Sequence, residues 1–228
     1  MKKLLIVTIA CLCFTANTLA QTGCSKYYPF KEGTKAEITV FDKKEEKSAI
    51  INYTILKTTK TSEGEVATMK SSVKDEKGKL IAETEYNATC DGNKISIDYK
   101  SMISPMMLDQ FKDMEYDISG TDLEIPNNLS VGQTLPNAQM IMNISMGGIN
   151  MNMEMQITNR KVVGKENVTT PAGTFDCFIV TSDMTTKMGV SQTSNSKQWL
   201  AEGVGMVKQE EYQKGKVSSS SMLTAFTK

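Results

Sequence analysis

The stretch "MIMNISMGGINMNMEMQI", residues 140–157, holds six methionines around a Gly147-Gly148 pair. Two consecutive glycines supply the positive φ that a two-residue hairpin turn needs. Folding the flanks about that turn sets Met146 against Ile149, Ile144 against Met151, Met142 against Met153 and Met140 against Met155. One face is then wholly Met and Ile. The other carries Asn143, Ser145, Asn150, Asn152, Glu154 and Gln156, with Ile141 the exception. Alternation with period two marks a strand with one buried and one wet face. The stretch therefore predicts a β-hairpin, and it sets the reading of the rest.

Similar short runs recur on both sides. Strands are expected at 34–42, 49–57, 66–73, 80–89 and 94–99, then at 138–146, 149–163, 174–187, 190–200, 204–213 and 216–226. Between them lie turn signals: "KKEE" at 43–46, a charged turn around Gly78, and Asp91-Gly92-Asn93. Tight links pair neighbours antiparallel, as a meander. A sheet this large must curl, split or close. One helix interrupts it. In "SPMMLDQFKDM" (104–114), Ser104 is a natural N-cap and Pro105 suits the first helical position. Met107, Phe111 and Met114 would share one face. Residues 119–138 read as loop. The expected fold is all-β with one short helix, a curled antiparallel meander or open β-barrel. It forms a single domain over 21–228, with two divergent halves (about 30–100 and 130–226) a second reading.

The chain opens with Lys2 and Lys3, an apolar run from Leu4 to Phe14, and Thr18-Leu19-Ala20. That order reads as a signal peptide over 1–20, cleaved before Gln21. Export to the periplasm or outer envelope follows. Gly23 before Cys24 fits a lipoprotein box, but Gln21 stands where an aliphatic residue belongs, so an unlipidated protein is expected. Apart from the leader there is no long apolar run, so no membrane span is expected. Removing Lys2 and Lys3 leaves 26 − 2 = 24 basic against 26 acidic residues. A net charge near −2 and a single arginine, Arg160, argue against nucleic acid as a partner.

Cys24, Cys90 and Cys177 remain after the leader, in an oxidising compartment. Three thiols allow one bridge. Cys24 precedes the first strand and Cys90 adjoins a turn, so both can move, whereas Cys177 sits inside a strand. Cys24–Cys90 is the expected pair, with Cys177 reduced. There is no histidine. Ser-His-Asp and Cys-His nucleophiles are thereby excluded, with the commonest zinc ligand. The acidic run Asp109, Asp113, Glu115, Asp117, Asp122 and Glu124 has no calcium-loop spacing.

The methionine spacing needs no metal, because a half-buried strand produces it. The residue choice still needs an account, since Val and Ile suit a strand better. Core packing carries most weight, because Met fills irregular gaps. A lining for a hydrophobic small molecule or lipid comes second. Its residues would be Met140, Met142, Met146, Met151, Met153 and Met155, with Met107 and Phe111 from the helix. Thioether binding of Cu(I) comes third.

The motifs "YYPFKEGTK" (27–35), "NNLSVGQTLP" (127–136), "NRKVVGKENVTTPAGTFDC" (159–177) and "QWLAEGVGMVKQEEY" (198–212) carry a resemblance. Together they make the mature chain similar to the TapB-like group of exported bacterial proteins, related to a wider domain of unknown function in Gram-negative envelopes. The resemblance implies a β-rich, barrel-like exported domain and supplies no catalytic residues. The expectation is a non-enzymatic binding or structural protein of the envelope, with no cofactor and no metal site. The alternative is a carboxylate-dependent glycan hydrolase.

Overall fold

The computed structural model describes residues 24–228, without the side chains of Met146 and Ile149. The expected signal peptide and its cleavage point lie outside the described residues.

Thirteen strands form one antiparallel sheet, nearly closed into a barrel with one unsealed seam. They are β1 (Lys35–Asp42), β2 (Lys47–Thr61), β3 (Gly64–Asp75), β4 (Leu80–Cys90), β5 (Lys94–Ile97), β6 (Glu115–Thr121), β7 (Leu123–Pro126), β8 (Ala138–Met146), β9 (Ile149–Thr170), β10 (Gly173–Met188), β11 (Val190–Ala201), β12 (Gly205–Gln213) and β13 (Lys216–Thr227). The spatial order is β6-β8-β9-β10-β11-β12-β13-β1-β2-β3-β4-β5-β7. The expected all-β fold and its meander pairing are therefore what forms. Strand β13 returns to pair with β1, from Lys35↔Thr227 to Asp42↔Ser219, which joins the two sequence halves.

The edge strands β6 and β7 are consecutive in the chain, separated only by Asp122. One end of the seam is thus spanned covalently. Residues 119–126 are strand, not the loop read from the sequence. Gly120, Pro126 and the short length of both strands hide them, since Gly and Pro weaken a strand signal but are tolerated at edges. Along the seam, residues 80–87 of β4 ladder with β3 and have no second strand neighbour. A 3-10 turn (Tyr99–Met102) and helix α1 (Pro105–Gln110) cross there. Asp98 Oδ1 caps the turn on Lys100 N, and Ser104 Oγ caps the helix on Met107 N at 3.2 Å. The helix is shorter than its apolar stripe suggests, ending at Phe111, whose φ of −106° leaves the helical region.

The hairpin register is the one its alternation predicts: Met146↔Ile149, Ile144↔Met151, Met142↔Met153, Met140↔Met155. Gly147 and Gly148 adopt φ of 56° and 84°. Met140, Met142, Ile144 and Met153 are buried and pack with Ile103 and Phe111 beneath the helical crossing, with Met107 and Met114 at the margin. A larger cluster, including Tyr27, Ile55, Ala88, Ile95, Val162, Phe178 and Leu200, fills the barrel. Cys177, Ile179, Trp199, Ala201 and Val207 alternate with inward residues on the same strands and form a third cluster on the opposite face. Trp199 Nε1 donates there to the Glu166 carboxylate.

Candidate functional site

The site is built by the segment before β1. Residues 24–30 have no strand partner, yet Tyr27 is fully buried in the barrel core. Three devices hold the segment. A disulfide joins Cys24 to Cys90 at the end of β4, with Cα atoms 5.7 Å apart. The Asn127 amide donates to Cys24 O and Gly92 O, both at 2.9 Å, and its Oδ1 accepts from Lys26 N at 2.9 Å. Gly203 N donates to Lys26 O at 2.8 Å. The segment therefore closes one end of the barrel. Cys177 is free and buried, and burial pushes its thiol up to about 11, which leaves it a poor nucleophile.

Above this plug lies a cavity of about 220 Å³. Its walls are mostly apolar, with Ile38, Ile55, Met69, Ile97, Leu123 and Met206 among them. Three tyrosines, Tyr28, Tyr53 and Tyr86, also line it. Desolvation raises the pKa of all three, so each is a neutral hydroxyl at physiological pH. Thr34 lines the cavity too. It is buried, and its Oγ1 has no hydrogen-bond partner among the described residues. An unpartnered buried hydroxyl is costly unless water or a ligand meets it. None of the lining side chains is a carboxylate. Such a chamber can hold an apolar body with a small polar end.

The chain's one arginine lies beside it. Arg160 is buried, and its Nη1 donates to Glu124 O at 2.9 Å and Pro136 O at 2.5 Å. Desolvation, partly offset by Tyr28 and Glu124, lowers its pKa to about 10. It stays charged and serves as a brace between β9 and the 124–136 segment.

The methionines singled out by sequence stand elsewhere. Met140, Met142, Met151, Met153 and Met155 gather with Met107 and Phe111 in the cluster under α1, and none of them lines this cavity. The side chain of Met146 lies outside the described residues. The tyrosines, Thr34 and Gln198 of the cavity share no common motif. They come from the N-terminal plug and from strands far apart in sequence, so only the closure of the sheet brings them together. The pair Tyr27-Tyr28 before Pro29 was the one available hint: two large aromatics on a short segment that has no strand pattern.

Residues 31–223 match the DUF3108-like family. The chain belongs to that family. No curated protein matches this DUF3108-like chain. Two solved structures share its fold. One is a candidate exported protein with a YmcC-like fold from Bacteroides fragilis, with TM-score 0.75 and 20% identity over 90% of this chain and 100% of that one. The other is a candidate lipoprotein from Parabacteroides distasonis, with TM-score 0.71 and 21% identity over 90% and 99% of the two chains. Both likenesses are of fold: a large antiparallel sheet curled into a barrel-like shape. Among the described residues, no helix is long and apolar enough to cross a membrane.

Proposed function

We propose that this DUF3108-like protein is a TapB-like, non-enzymatic envelope protein. It is exported by its signal peptide and holds a small apolar ligand inside the barrel. The observation that carries the reading is the chamber: apolar walls, three neutral tyrosine hydroxyls and the unpartnered Thr34 Oγ1. At about 220 Å³ it lies below the common range of roughly 300–1,000 Å³ for drug-sized sites. A short acyl segment or a compact apolar molecule suits it, with the polar end at Thr34 or a tyrosine. The hairpin methionines serve as packing under the helix in this reading, which their burial beside Ile103 and Phe111 supports.

The test is a titration with a fluorescent fatty-acid analogue, using purified protein and an Ala36→Phe variant. Ala36 lies in the cavity wall, and a phenyl ring there would occupy the chamber. Saturable binding that Ala36→Phe removes without loss of the circular-dichroism spectrum supports the proposal. Absence of saturable binding, or binding indifferent to the substitution, refutes it.

A further inference from the structure

Most of the exposed large apolar side chains stand at one end of this barrel, although Leu56, Val131 and Val163 do not. Leu80 and Ile81 at the start of β4, Met106 on α1, Tyr116 at the start of β6, and Met188 and Val190 on the β10–β11 hairpin are all exposed. The ladders fix their position. Val40↔Ala49, Ala49↔Asp75 and Lys74↔Leu80 place the start of β4 at the β1–β2 turn end. Asp42↔Ser219, Glu211↔Ser219 and Asn195↔Tyr212 place the β10–β11 tip at that same end. Lys187↔Glu154 adds the β8–β9 tip, and Glu115↔Ser145 adds the start of β6. This end lies opposite the disulfide-bound plug.

Two neighbouring hairpins dominate it. The β11–β12 ladder stops at Asn195↔Tyr212, so residues 188–194 run on past the adjacent strand. The β9–β10 ladder stops at Lys187↔Glu154, so the β8–β9 hairpin runs on in turn. Val190 is 75% exposed and Met188 45% exposed. The tip sequences are Met146-Gly-Gly-Ile149 and Met188-Gly-Val190. Residues 138–153 and 188–196 contain no charged residue, although 23% of the chain is charged. The other turns at this end are different: "KKEE" at 43–46 and "EKGK" at 76–79 are fully solvated types. A protruding hairpin usually carries charge to stay in water, and unpaired strand edges usually carry it to resist aggregation. Apolar tips flanked by Asn, Ser, Thr and Gln instead suit the headgroup region, where apolar side chains are buried and uncharged polar groups remain hydrated.

We infer that the β10–β11 tip docks this barrel on a phospholipid bilayer surface, with Met188 and Val190 inserted. A bilayer is favoured over a protein partner because Met188 and Val190 stand on a protruding hairpin with no charge over 188–196, away from the concave patch that Leu80, Ile81 and Tyr116 line beside α1. Lys187, the charge nearest the β10–β11 tip, lies opposite Glu154 across the β9–β10 ladder, so attraction to anionic lipid should be secondary to insertion. The inference is independent of the interior cavity.

The experiment uses the mature protein and vesicles of phosphatidylcholine, with and without phosphatidylglycerol. Co-sedimentation gives the partition constant. Met188→Asp with Val190→Asp should weaken it at least about tenfold, because a hydrated carboxylate replaces each inserted apolar side chain. A tip tryptophan, Val190→Trp, should be quenched by brominated phospholipid. Val163→Trp, on an exposed β9 position away from the tips, should not be. No sedimentation with either vesicle, sedimentation unchanged by the double Asp variant, or equal quenching of both tryptophans would overturn the proposal. The two positions are exposed, and a circular-dichroism melt confirms that each variant is folded.

Discussion

Met142 and Met153 stand directly opposite each other across β8 and β9, and both are 0% exposed. Each packs under the helical crossing rather than against the interior cavity. Met142→Ala or Met153→Ala should therefore cost about 2–5 kcal/mol, the range for emptying a packed core position. Met142→Leu should cost less than about 1.5 kcal/mol, because volume is nearly kept. Denaturant unfolding measures both. The double Leu variant also tests copper. Tight Cu(I) binding by the natural protein that disappears in this variant would show that the pair acts through its thioethers.

The disulfide supplies a second outcome. Cys24 and Cys90 are 66 residues apart, and their bridge ties the plug to the end of β4. Cys90→Ser should lower stability by roughly 2–5 kcal/mol, with a loop of this length near the upper part of that range. It should also loosen the plug, and so the cavity floor. The same bond bears on anchoring. A Cys24 sulfur in a disulfide cannot also carry a diacylglycerol thioether. Intact mass of the exported protein should show an N-terminus near Gln21, one bridge and no lipid. A lipid-modified Cys24 would contradict both the bridge and the unlipidated reading.

Alkaline pH gives a third. Burial raises the pKa of Tyr27 from 10.0 to about 12, with the Glu202 charge adding to it. Burial also raises Tyr28, Tyr53 and Tyr86. The unfolded chain ionises these phenols near pH 10 while the folded chain keeps its protons. Their stabilisation is therefore fully present below about pH 10 and is lost as pH rises toward 12. Arg160, lowered to about 10, has the opposite sign, because the unfolded chain holds that proton more tightly. One arginine opposes four phenols whose pKa desolvation raises, so the net slope is toward unfolding. Denaturation midpoints should fall steeply above about pH 10. Tyrosinate absorbance appearing in the folded protein at pH 10, with no loss of stability, would contradict the burial assigned to these rings.

A single turn near the cavity offers a sharper local test. Gly205 has φ of 91°, and a Cβ there would lie 2.5 Å from the Tyr28 ring. Gly205→Ala must both strain the backbone and move a cavity-lining tyrosine. A cost of about 1–3 kcal/mol is expected for the backbone alone. Gly148→Ala has a similar φ of 84° but meets nothing within 4 Å. It should cost less and leave ligand binding alone. Comparing the two by thermal unfolding and probe titration separates backbone strain from cavity damage.

How far the sequence foretold this molecule depended on periodicity. Where one face is buried along a whole strand, as in 140–157, the alternation gave even the pairing register. It failed where an element is short or lies at an edge. Strand β7 has only four residues and ends in Pro126, so Ile125, buried in the main core, looked like part of a loop. Strand β9 runs on to Thr170, past the 163 expected, because the register shifts between Ile179 and Val180 and the polar Lys165, Asn167 and Thr169 hide its alternation there. The cavity was invisible for a different reason. Tyr28, Tyr53, Tyr86 and Gln198 share no motif and meet only when β13 returns to β1. The methionines are dense in sequence because one hairpin face packs under the helical crossing, away from the residues that line the chamber.

Arg160 provides the last test. It stands on β9, and its Nη1 reaches Glu124 O on β7, the opposite edge strand of the sheet, and Pro136 O. Backbone bonds reinforce the same junction: Leu135 N donates to Arg160 O at 2.9 Å and Val162 N to Gln133 O at 2.9 Å. The side chain thus closes the barrel where no strand ladder does. A planar guanidinium can serve two carbonyls in fixed directions, whereas an ammonium on a shorter reach cannot. Arg160→Lys should cost about 1.5–3 kcal/mol, the range for hydrogen bonds to a charged group. Arg160→Met fills the space but leaves both carbonyls without that donor, and should cost at least as much. Hydrogen exchange decides between a local and a global effect. Amides of β7 and of residues 129–135 should lose protection well before those of β2 and β3, whose ladders Arg160 does not touch. If Arg160→Met were neutral and exchange across the junction unchanged, the barrel would be closed by its backbone bonds alone, and the buried charge would need another purpose.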